Sequence, residues 1–235
     1  MVILITGTSR GIGFAIAEAF AQDPQQHHLI MVSQNAAKLA ASAADLQTRF
    51  PHNTVLHEAC NLADKAAIAA LSEWLHTQVD AVDVLVNNAG YFLPGSVHNE
   101  PDGTLEEMLQ TNLLSAYHLS RAVLPRMMAR KSGHVFNLCS IASLQAYANG
   151  GSYSISKFAL LGFGQNLREE MKPYHIKVTN IMPGAAYTDS WAGSGVQKER
   201  IMEAADVAKM VYTAAHLSPQ ACVEDIVMRP VLGDL

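Results

Sequence analysis

The chain has 235 residues, of which 49% are hydrophobic and 16% are charged, and its formal net charge is -5. This length and apolar content favour one large domain, and the negative charge argues against a nucleic acid or an anionic membrane as partner. The first apolar run, residues 2–5, is too short for a signal peptide, and no later run approaches the roughly 18 apolar residues of a membrane span. We therefore expect a cytoplasmic protein, in which Cys60, Cys139 and Cys222 are buried, reduced thiols.

Short apolar runs alternate with amphipathic segments of helical length. The predicted strands are residues 2–5, 28–32, 54–59, 82–86, 133–138, 176–181 and 223–228. The predicted helices are residues 13–22, 35–50, 64–77, 104–128, 153–171 and 205–216. Near-continuous apolar strands are typical of a parallel sheet covered on both faces, and the alternation predicts a Rossmann-type, doubly wound α/β sheet of about seven strands. We expect a single domain over residues 1–235, with a dinucleotide-binding half at about 1–90 and a catalytic and substrate-loop half at about 91–235.

A glycine-rich loop follows the first strand and leads into the first helix, in the order Thr-Gly-Thr-Ser-Arg-Gly-Ile-Gly from residue 6. Gly7 permits the tight turn, Gly11 lets the backbone approach a pyrophosphate, and Gly13 allows close packing of helix and strand. The helix N-terminus supplies N–H groups and a positive dipole end for phosphates. The loop therefore predicts a dinucleotide site.

Tyr153 and Lys157 lie four residues apart in a predicted helix. That spacing puts both side chains on one helix face. A cation beside a phenol stabilises the phenolate and lowers the pKa of the phenol, so the pair is suited to proton transfer in carbonyl chemistry.

Taken in order, the loop Thr-Gly-xxx-Gly-x-Gly, the segment Asn-Asn-Ala-Gly at residues 87–90, Ser140 and Tyr-xxx-Lys resemble the short-chain dehydrogenases/reductases. The resemblance covers essentially the whole chain. It implies hydride transfer between a nicotinamide cofactor and a small carbonyl or alcohol, with Asn112, Ser140, Tyr153 and Lys157 as catalytic residues. In this reading Ser140 and Tyr153 hold the carbonyl oxygen and Tyr153 gives it a proton. Lys157 lowers the pKa of Tyr153 and holds the nicotinamide ribose, and Asn112 orders a water chain.

The same resemblance implies which residues contact the cofactor. They are Gly7, Ser9, Arg10, Gly11, Ile12, Gly13, Ser33, Asn61, Leu62, Asn88, Ala89, Gly90, Tyr153, Lys157, Pro183, Gly184 and Thr188. Asn61 departs from the family, which usually has an aspartate there against the adenine amino group. An amide oxygen can accept the same hydrogen bond, and Thr188 with the Pro183-Gly184 turn is expected beside the nicotinamide carboxamide.

Two observations favour NADP(H) over NAD(H). An acid at the end of the second strand would bind the adenosine ribose and repel a 2′-phosphate, but that place holds Ser33, Gln34 and Asn35. Arg10 in the glycine loop is a permanent charge that can reach a phosphate. The predicted activity is therefore NADP(H)-dependent reduction of a small carbonyl.

Substrate contacts are predicted at Ser140, Tyr147 and Trp191, and the C-terminal part is similar to bacterial sepiapterin reductases. An NAD-dependent alcohol dehydrogenase, a ketoacyl reductase and a non-enzymatic nucleotide-binding regulator are the alternatives, although a regulator would be expected to lose Ser140, Tyr153 or Lys157. The family also implies a homodimer or homotetramer that pairs through helices 104–128 and 153–171. The ten histidines show no HxxxH or HExxH spacing and the cysteines do not cluster, so no metal site is predicted.

Overall fold

One large parallel sheet organises the computed structural model, which describes residues 1–188 and 195–234. Its strands are β1 (Val2–Thr6), β2 (His28–Ser33), β3 (Thr54–Ala59), β4 (Val84–Asn87), β5 (Gly133–Leu138), β6 (Ile176–Pro183) and β9 (Asp225–Met228). They lie in the order β3-β2-β1-β4-β5-β6-β9, every neighbouring pair parallel. A separate two-residue pair joins β7 (Ala186–Tyr187) and β8 (Met202–Glu203). The order reverses between β1 and β4, where the sheets of such folds bind their ligands.

Helices cover both faces of the sheet. They are α1 (Gly11–Ala21), α2 (Ala36–Arg49), α3 (Lys65–Gln78), α4 (Thr104–Leu109), α5 (Ser115–Arg130), α6 (Gly151–Met171) and α7 (Ala204–Ala215). The sequence prediction of a single doubly wound α/β domain is confirmed. Within the described part of the chain, no helix has the length and hydropathy that a membrane span requires.

Alternating strand residues supply two hydrophobic cores, one on each face of the sheet. Ile3 and Ile5 of β1 belong to the core beneath α1, α2 and α7, whereas Leu4 belongs to the core beneath α3, α5 and α6. All three side chains are completely buried. Cys60 and Cys139 are also buried and Cys222 is partly buried, and all three are free thiols.

The predicted continuous helix over 104–128 is wrong in its middle. A π-helical turn, Gln110–Leu114, separates α4 from α5 and contains Asn112. Single π turns inside helices occur frequently at functional sites, because they displace side chains from the regular α-helical positions. The turn moves Asn112 off the register of both flanking helices, and its side chain is 1% exposed.

A ladder of polar side chains, three buried asparagines and an exposed aspartate, crosses four neighbouring strands. Asn87, Asn137, Asn180 and Asp225 are paired in register on β4, β5, β6 and β9. Each amide nitrogen donates to the next oxygen along the row, at distances of 3.0, 3.2 and 3.0 Å. Gly164 of α6 makes room for this polar ladder, because a Cβ there would lie 1.8 Å from Oδ1 of Asn180.

Candidate functional site

The glycine loop between β1 and α1 is built as the sequence predicts. Gly7 and Gly11 have φ values of +72° and +62°, in the region that favours glycine. Gly13 packs directly on the turn, since a Cβ there would lie 2.3 Å from the carbonyl oxygen of Gly7. Arg10 precedes the helix and provides no side-chain cap, and the first turn holds no acidic residue.

The first turn of α1 therefore has backbone N–H groups for which the helix supplies no acceptor. A helix start of this kind, at the carboxyl edge of a parallel sheet, suits the pyrophosphate of a dinucleotide. The chain fits a nicotinamide dinucleotide at this point: Gly11, Ile12 and Gly13 would hold the phosphates through their backbone.

Thr6 and Asn88 tie the glycine loop to the segment after β4. Oγ1 of Thr6 accepts hydrogen bonds from the N–H groups of Asn88 and Ala89, at 3.0 and 2.9 Å. The Asn88 side chain returns hydrogen bonds to the carbonyl oxygens of Thr6 and Gly7, at 2.8 and 3.3 Å. Asn88 was predicted as a cofactor residue, whereas Thr6 was missed because its hydroxyl acts only through the neighbouring strand.

Ser140, Tyr153 and Lys157 meet at the carboxyl end of β5. Ser140 lies beside the Tyr153 hydroxyl and, as a hydrogen-bonding neighbour, lowers the pKa of the phenol. Nζ of Lys157 lies 5.8 Å from the centre of the Tyr153 ring and donates to the carbonyl oxygen of Leu138 at 2.7 Å. Ser140 itself is fixed by Ser143, whose hydroxyl accepts the Ser140 N–H in a capping box.

Asn112 lies beside this group and joins it through Gly90. A Cβ at Gly90 would lie 3.0 Å from Oδ1 of Asn112 and 3.5 Å from Nζ of Lys157. The Asn112 amide donates to the Tyr91 carbonyl and to Oγ of Ser156, and accepts from the Tyr91 N–H. All four predicted catalytic residues therefore lie together. Asn112 donates both of its amide hydrogens to protein acceptors, the Tyr91 carbonyl and the Ser156 hydroxyl. Its role in ordering water stays a prediction.

Burial is the largest influence on the pKa values of Tyr153 and Lys157. Desolvation raises the pKa of Tyr153, and the hydrogen bond with Ser140 acts in the opposite direction. Desolvation lowers the pKa of Lys157 to about 8. The expected lowering of the Tyr153 pKa is therefore not found in this structure, because loss of water around the phenol outweighs the other influences.

The remaining predicted cofactor residues line the same edge of the sheet. Ser33 donates to Ser9 at 3.1 Å, which links the end of β2 to the glycine loop. Thr188 lies against Gly11, where a Cβ would be 3.3 Å from its methyl group. The Asn61 side chain is exposed and accepts the N–H of Ala63 at 3.2 Å, so its contact with adenine stays a prediction.

Three further predicted cofactor residues lie at or just after the ends of strands. Leu62 is buried just after β3, Pro183 ends β6, and Gly184 donates its N–H to the Met228 carbonyl at 2.8 Å. Tyr147 is 47% exposed. Trp191 lies outside the described residues.

Sequence reasoning missed two residues around Tyr153. Phe92 packs edge-on against the Tyr153 ring, with centroids 4.9 Å apart, and is 46% exposed. Glu100 holds the start of α6, as described next. Phe92 offered a signal, an aromatic residue two positions after the Asn-Asn-Ala-Gly segment, but Glu100 offered none because its partner is distant in sequence.

Glu100 acts as a remote cap for α6, the helix that carries Tyr153 and Lys157. Gly150 at the N-cap position has no side chain to cap the helix. The Glu100 carboxylate instead accepts the Ser152 N–H at 3.0 Å and also the Ser152 hydroxyl. These hydrogen bonds lower the pKa of Glu100, and an anion at a helix N-terminus is also favoured by the helix dipole.

We expect Glu100→Ala to lower the Tm of the protein by roughly a few degrees at neutral pH, as loss of a helix cap does. Because the pKa of Glu100 is lowered on folding, its contribution is present above the usual carboxyl pKa and disappears as pH falls below it. The Tm difference between wild type and variant, measured by calorimetry, should therefore shrink in acid. Glu100→Gln keeps a hydrogen-bond acceptor, so its Tm should lie between those of the wild type and Glu100→Ala. A Tm difference between wild type and Glu100→Ala that does not change with pH would contradict this role.

Comparison with known proteins agrees with the geometry. A sequence model described as short chain dehydrogenase matches residues 1–199. The sepiapterin reductase of Chlorobaculum tepidum is 28% identical over 240 residues, which cover 100% of this chain and 98% of the relative. The NADP-dependent 3-hydroxy acid dehydrogenase of Salmonella typhi is 29% identical over 243 residues, covering 98% and 95%.

A solved structure extends the likeness to three dimensions. A metagenomic short-chain oxidoreductase in complex with NADP has a TM-score of 0.84 and 28% identity, with 98% of this chain and 97% of that chain covered. The family match covers most of the chain and coincides with a doubly wound sheet whose glycine loop and Tyr-Lys pair share one edge. The chain therefore belongs to the short-chain dehydrogenase/reductase family of oxidoreductases.

Proposed function

We propose that this protein is an NADP(H)-dependent reductase of a small carbonyl compound, with Asn112, Ser140, Tyr153 and Lys157 as its catalytic residues. The observation that carries the proposal is the grouping of Ser140, Tyr153 and Lys157 at the carboxyl end of β5, where Nζ of the buried Lys157 lies 5.8 Å from the centre of the Tyr153 ring. This arrangement offers two hydroxyl groups to one carbonyl oxygen and a cation close to the phenol.

The mechanism follows from what each side chain can do. The bound cofactor supplies the hydride for the carbonyl carbon, which is chemistry that no side chain provides. Ser140 donates a hydrogen bond to the carbonyl oxygen, and Tyr153 gives that oxygen its proton as negative charge develops on it. Lys157 stabilises the phenolate that remains. Asn112 holds the Tyr91 backbone and Ser156 of α6, and its Oδ1 occupies the space beside Gly90.

We expect reductive kcat/KM to fall as pH rises through about 8, the pKa of Lys157. Below that pH Lys157 is protonated and its charge stabilises the phenolate; above it the charge is lost. Burial raises the pKa of Tyr153, so the phenol keeps its proton through this range. The measurement is kcat/KM for the carbonyl at saturating cofactor between about pH 6 and 9.5, since this parameter reports the enzyme–cofactor complex that the carbonyl meets. A profile that rises with pH would contradict the assignment.

Arg10 supports the choice of NADP(H). Arg10 follows Ser9, whose hydroxyl contacts Ser33 at the end of β2, and a ribose 2′-phosphate is expected near that strand end. Residues 33–35 offer no carboxylate to repel that phosphate. The relatives named above include one that is NADP-dependent and one solved with NADP.

The test of this proposal compares NADPH and NADH on a panel of carbonyl substrates. We expect higher kcat/KM with NADPH, and Arg10→Ala should reduce it roughly ten- to a hundredfold, about 1.5–3 kcal/mol for a hydrogen bond to a charged group. The NADH value should change little. Lys209→Ala, an exposed cation on α7, is the matched control. Greater efficiency with NADH in the wild type would overturn the cofactor assignment.

Sepiapterin belongs on the panel because of the full-length similarity to the Chlorobaculum tepidum enzyme. Exposed aromatic residues near Tyr153 also favour a substrate with a flat or apolar part: Phe92, which packs on the Tyr153 ring, is 46% exposed, and Tyr147 is 47% exposed. A ketoacyl substrate and an alcohol oxidised with NAD are the alternatives that the same panel tests.

We further propose a homodimer or homotetramer formed through α5 and α6. Exposed apolar side chains on these helices include Tyr117, Ile155 and Phe158, at 36%, 42% and 45%. Sedimentation equilibrium of the wild type and Phe158→Asp would measure the assembly state.

A further inference from the structure

A second cluster of chemically active side chains lies at the opposite edge of the sheet from the glycine loop. Asp23 follows α1, His27 immediately precedes β2, and His216 follows α7. Among the described residues these three form one group whose ligand atoms all lie within 4.8 Å of one another. Nothing in the proposed reductase mechanism uses them.

We propose that Asp23, His27 and His216 form a binding site for one divalent transition-metal ion of the Zn²⁺ class. Oδ2 of Asp23 lies 3.4 Å from Nε2 of His27 and 3.3 Å from Nε2 of His216. With metal–ligand bonds of about 2.0–2.1 Å, the edge of a tetrahedron is about 3.3–3.4 Å. Both distances therefore match the separation of two ligands on one tetrahedral metal.

The tautomer of His216 leaves a lone pair facing the carboxylate. Its Nδ1 lies 2.8 Å from the carbonyl oxygen of Tyr212, a contact that requires a proton on Nδ1. When the ring is neutral, Nε2 then directs a lone pair at an oxygen of Asp23. Two such atoms 3.3 Å apart repel each other unless a cation or a shared proton lies between them.

His27 supplies a second atom without a partner. Its side chain is buried, and Nε2 has no hydrogen bond among the described residues although it faces Asp23. The Met1 ammonium group lies 3.2 Å from Nδ1 of the ring and donates to it, so the proton of the neutral ring lies on Nε2, where a metal ion would replace it. A buried polar atom without a partner is costly, and coordination of a metal would satisfy it.

Neighbouring groups orient Asp23 as a ligand through one oxygen. The Tyr212 hydroxyl donates to Oδ2 at 2.6 Å, and the Gln25 N–H donates to Oδ1 at 2.8 Å. The hydrogen bond from Tyr212 is the largest cause that lowers the pKa of Asp23 to about 2, and burial lowers the pKa of His27. The carboxylate is thus ionised and the imidazole neutral at neutral pH, the states in which both groups bind metals.

The proposed ion would connect distant parts of the chain. His216 is 31% exposed at its side chain, so water can reach a fourth coordination position. The site joins the loop between α1 and β2 to the end of α7. The helices α1 and α7 pack in the same hydrophobic core. Metal binding should therefore stabilise the fold and leave the reductase site unchanged.

The test uses untagged protein freed of metal with a chelator and titrated with Co²⁺. We expect the visible absorption of four-coordinate Co²⁺ to saturate at one equivalent and to disappear when Zn²⁺ is added. Zn²⁺ should raise the Tm of the same protein, because it binds only the folded state.

His216→Gln should abolish the absorption and the Tm increase while the protein remains folded, because this side chain is partly exposed. Tyr212→Phe keeps all three ligands and should weaken Co²⁺ binding roughly tenfold. His76→Gln, at the end of α3, is the matched control and should bind as the wild type does. The absence of Co²⁺ absorption in the wild type, or equal binding by His216→Gln, would overturn the proposal and leave a shared proton as the link between these groups.

Discussion

Replacing Tyr153 with Phe is expected to reduce kcat/KM for carbonyl reduction by about 10²- to 10⁴-fold, the usual contribution of a positioned general acid. The substitution keeps the ring, its edge-on contact with Phe92 and the helix α6 around it. It removes the phenolic proton beside Ser140. The measurement is steady-state kinetics with NADPH and the best carbonyl of the panel.

The controls separate chemistry from folding and cofactor binding. Tyr174→Phe makes the same chemical change just before β6, at the opposite edge of the sheet, and should retain wild-type kinetics. NADPH affinity of Tyr153→Phe, measured by fluorescence titration, should stay within a few-fold of the wild type. A Tyr153→Phe enzyme that reduces carbonyls at the wild-type rate would refute the proposed proton donor.

The largest expected effect on stability comes from Gly164→Ala. The added methyl group would lie 1.8 Å from Oδ1 of Asn180 and 2.9 Å from Nδ2 of Asn137. It must therefore displace the polar ladder that crosses β4, β5, β6 and β9. Overpacking of this kind costs about 1–3 kcal/mol, and disruption of buried hydrogen bonds adds to it, so we expect a loss of about 2–4 kcal/mol in unfolding free energy.

Gly162→Ala in the same helix is the matched control for this experiment. A Cβ at Gly162 meets no atom within 4 Å, so the substitution should stabilise α6 by about 0.5–1 kcal/mol through helix propensity alone. Urea unfolding of both variants measures the difference. Equal stability of the two variants would mean that the polar ladder tolerates the intrusion.

Patterns that are local in sequence were sufficient to predict the sheet, most of its helices and the glycine loop. The sheet and its helices follow from hydrophobic periodicity, and the glycine loop follows from three glycines whose roles are backbone geometry. The π turn was not predictable, because residues 104–130 have the composition of one ordinary helix and the extra residue shows only in the hydrogen-bond pattern.

Contacts between distant segments were also beyond sequence reasoning. Glu100 meets Ser152 across 52 positions, and Asp23 meets Tyr212 across 189. Neither pair has a spacing that marks it as a partner, since only the fold brings them together. The raised pKa of Tyr153 has a similar origin, because burial of the phenol depends on packing that no short motif specifies.

The π turn at Gln110–Leu114 also limits how this chain can change in length. A π turn holds about one residue more than an α turn. Deletion of one residue here would convert the turn into a regular α-helical turn and redirect the side chains of residues 110–114. Asn112 would then leave the space beside Gly90, with no change in amino-acid type at any site residue. We therefore expect activity to depend on the number of residues between β4 and β5 as well as on their identity.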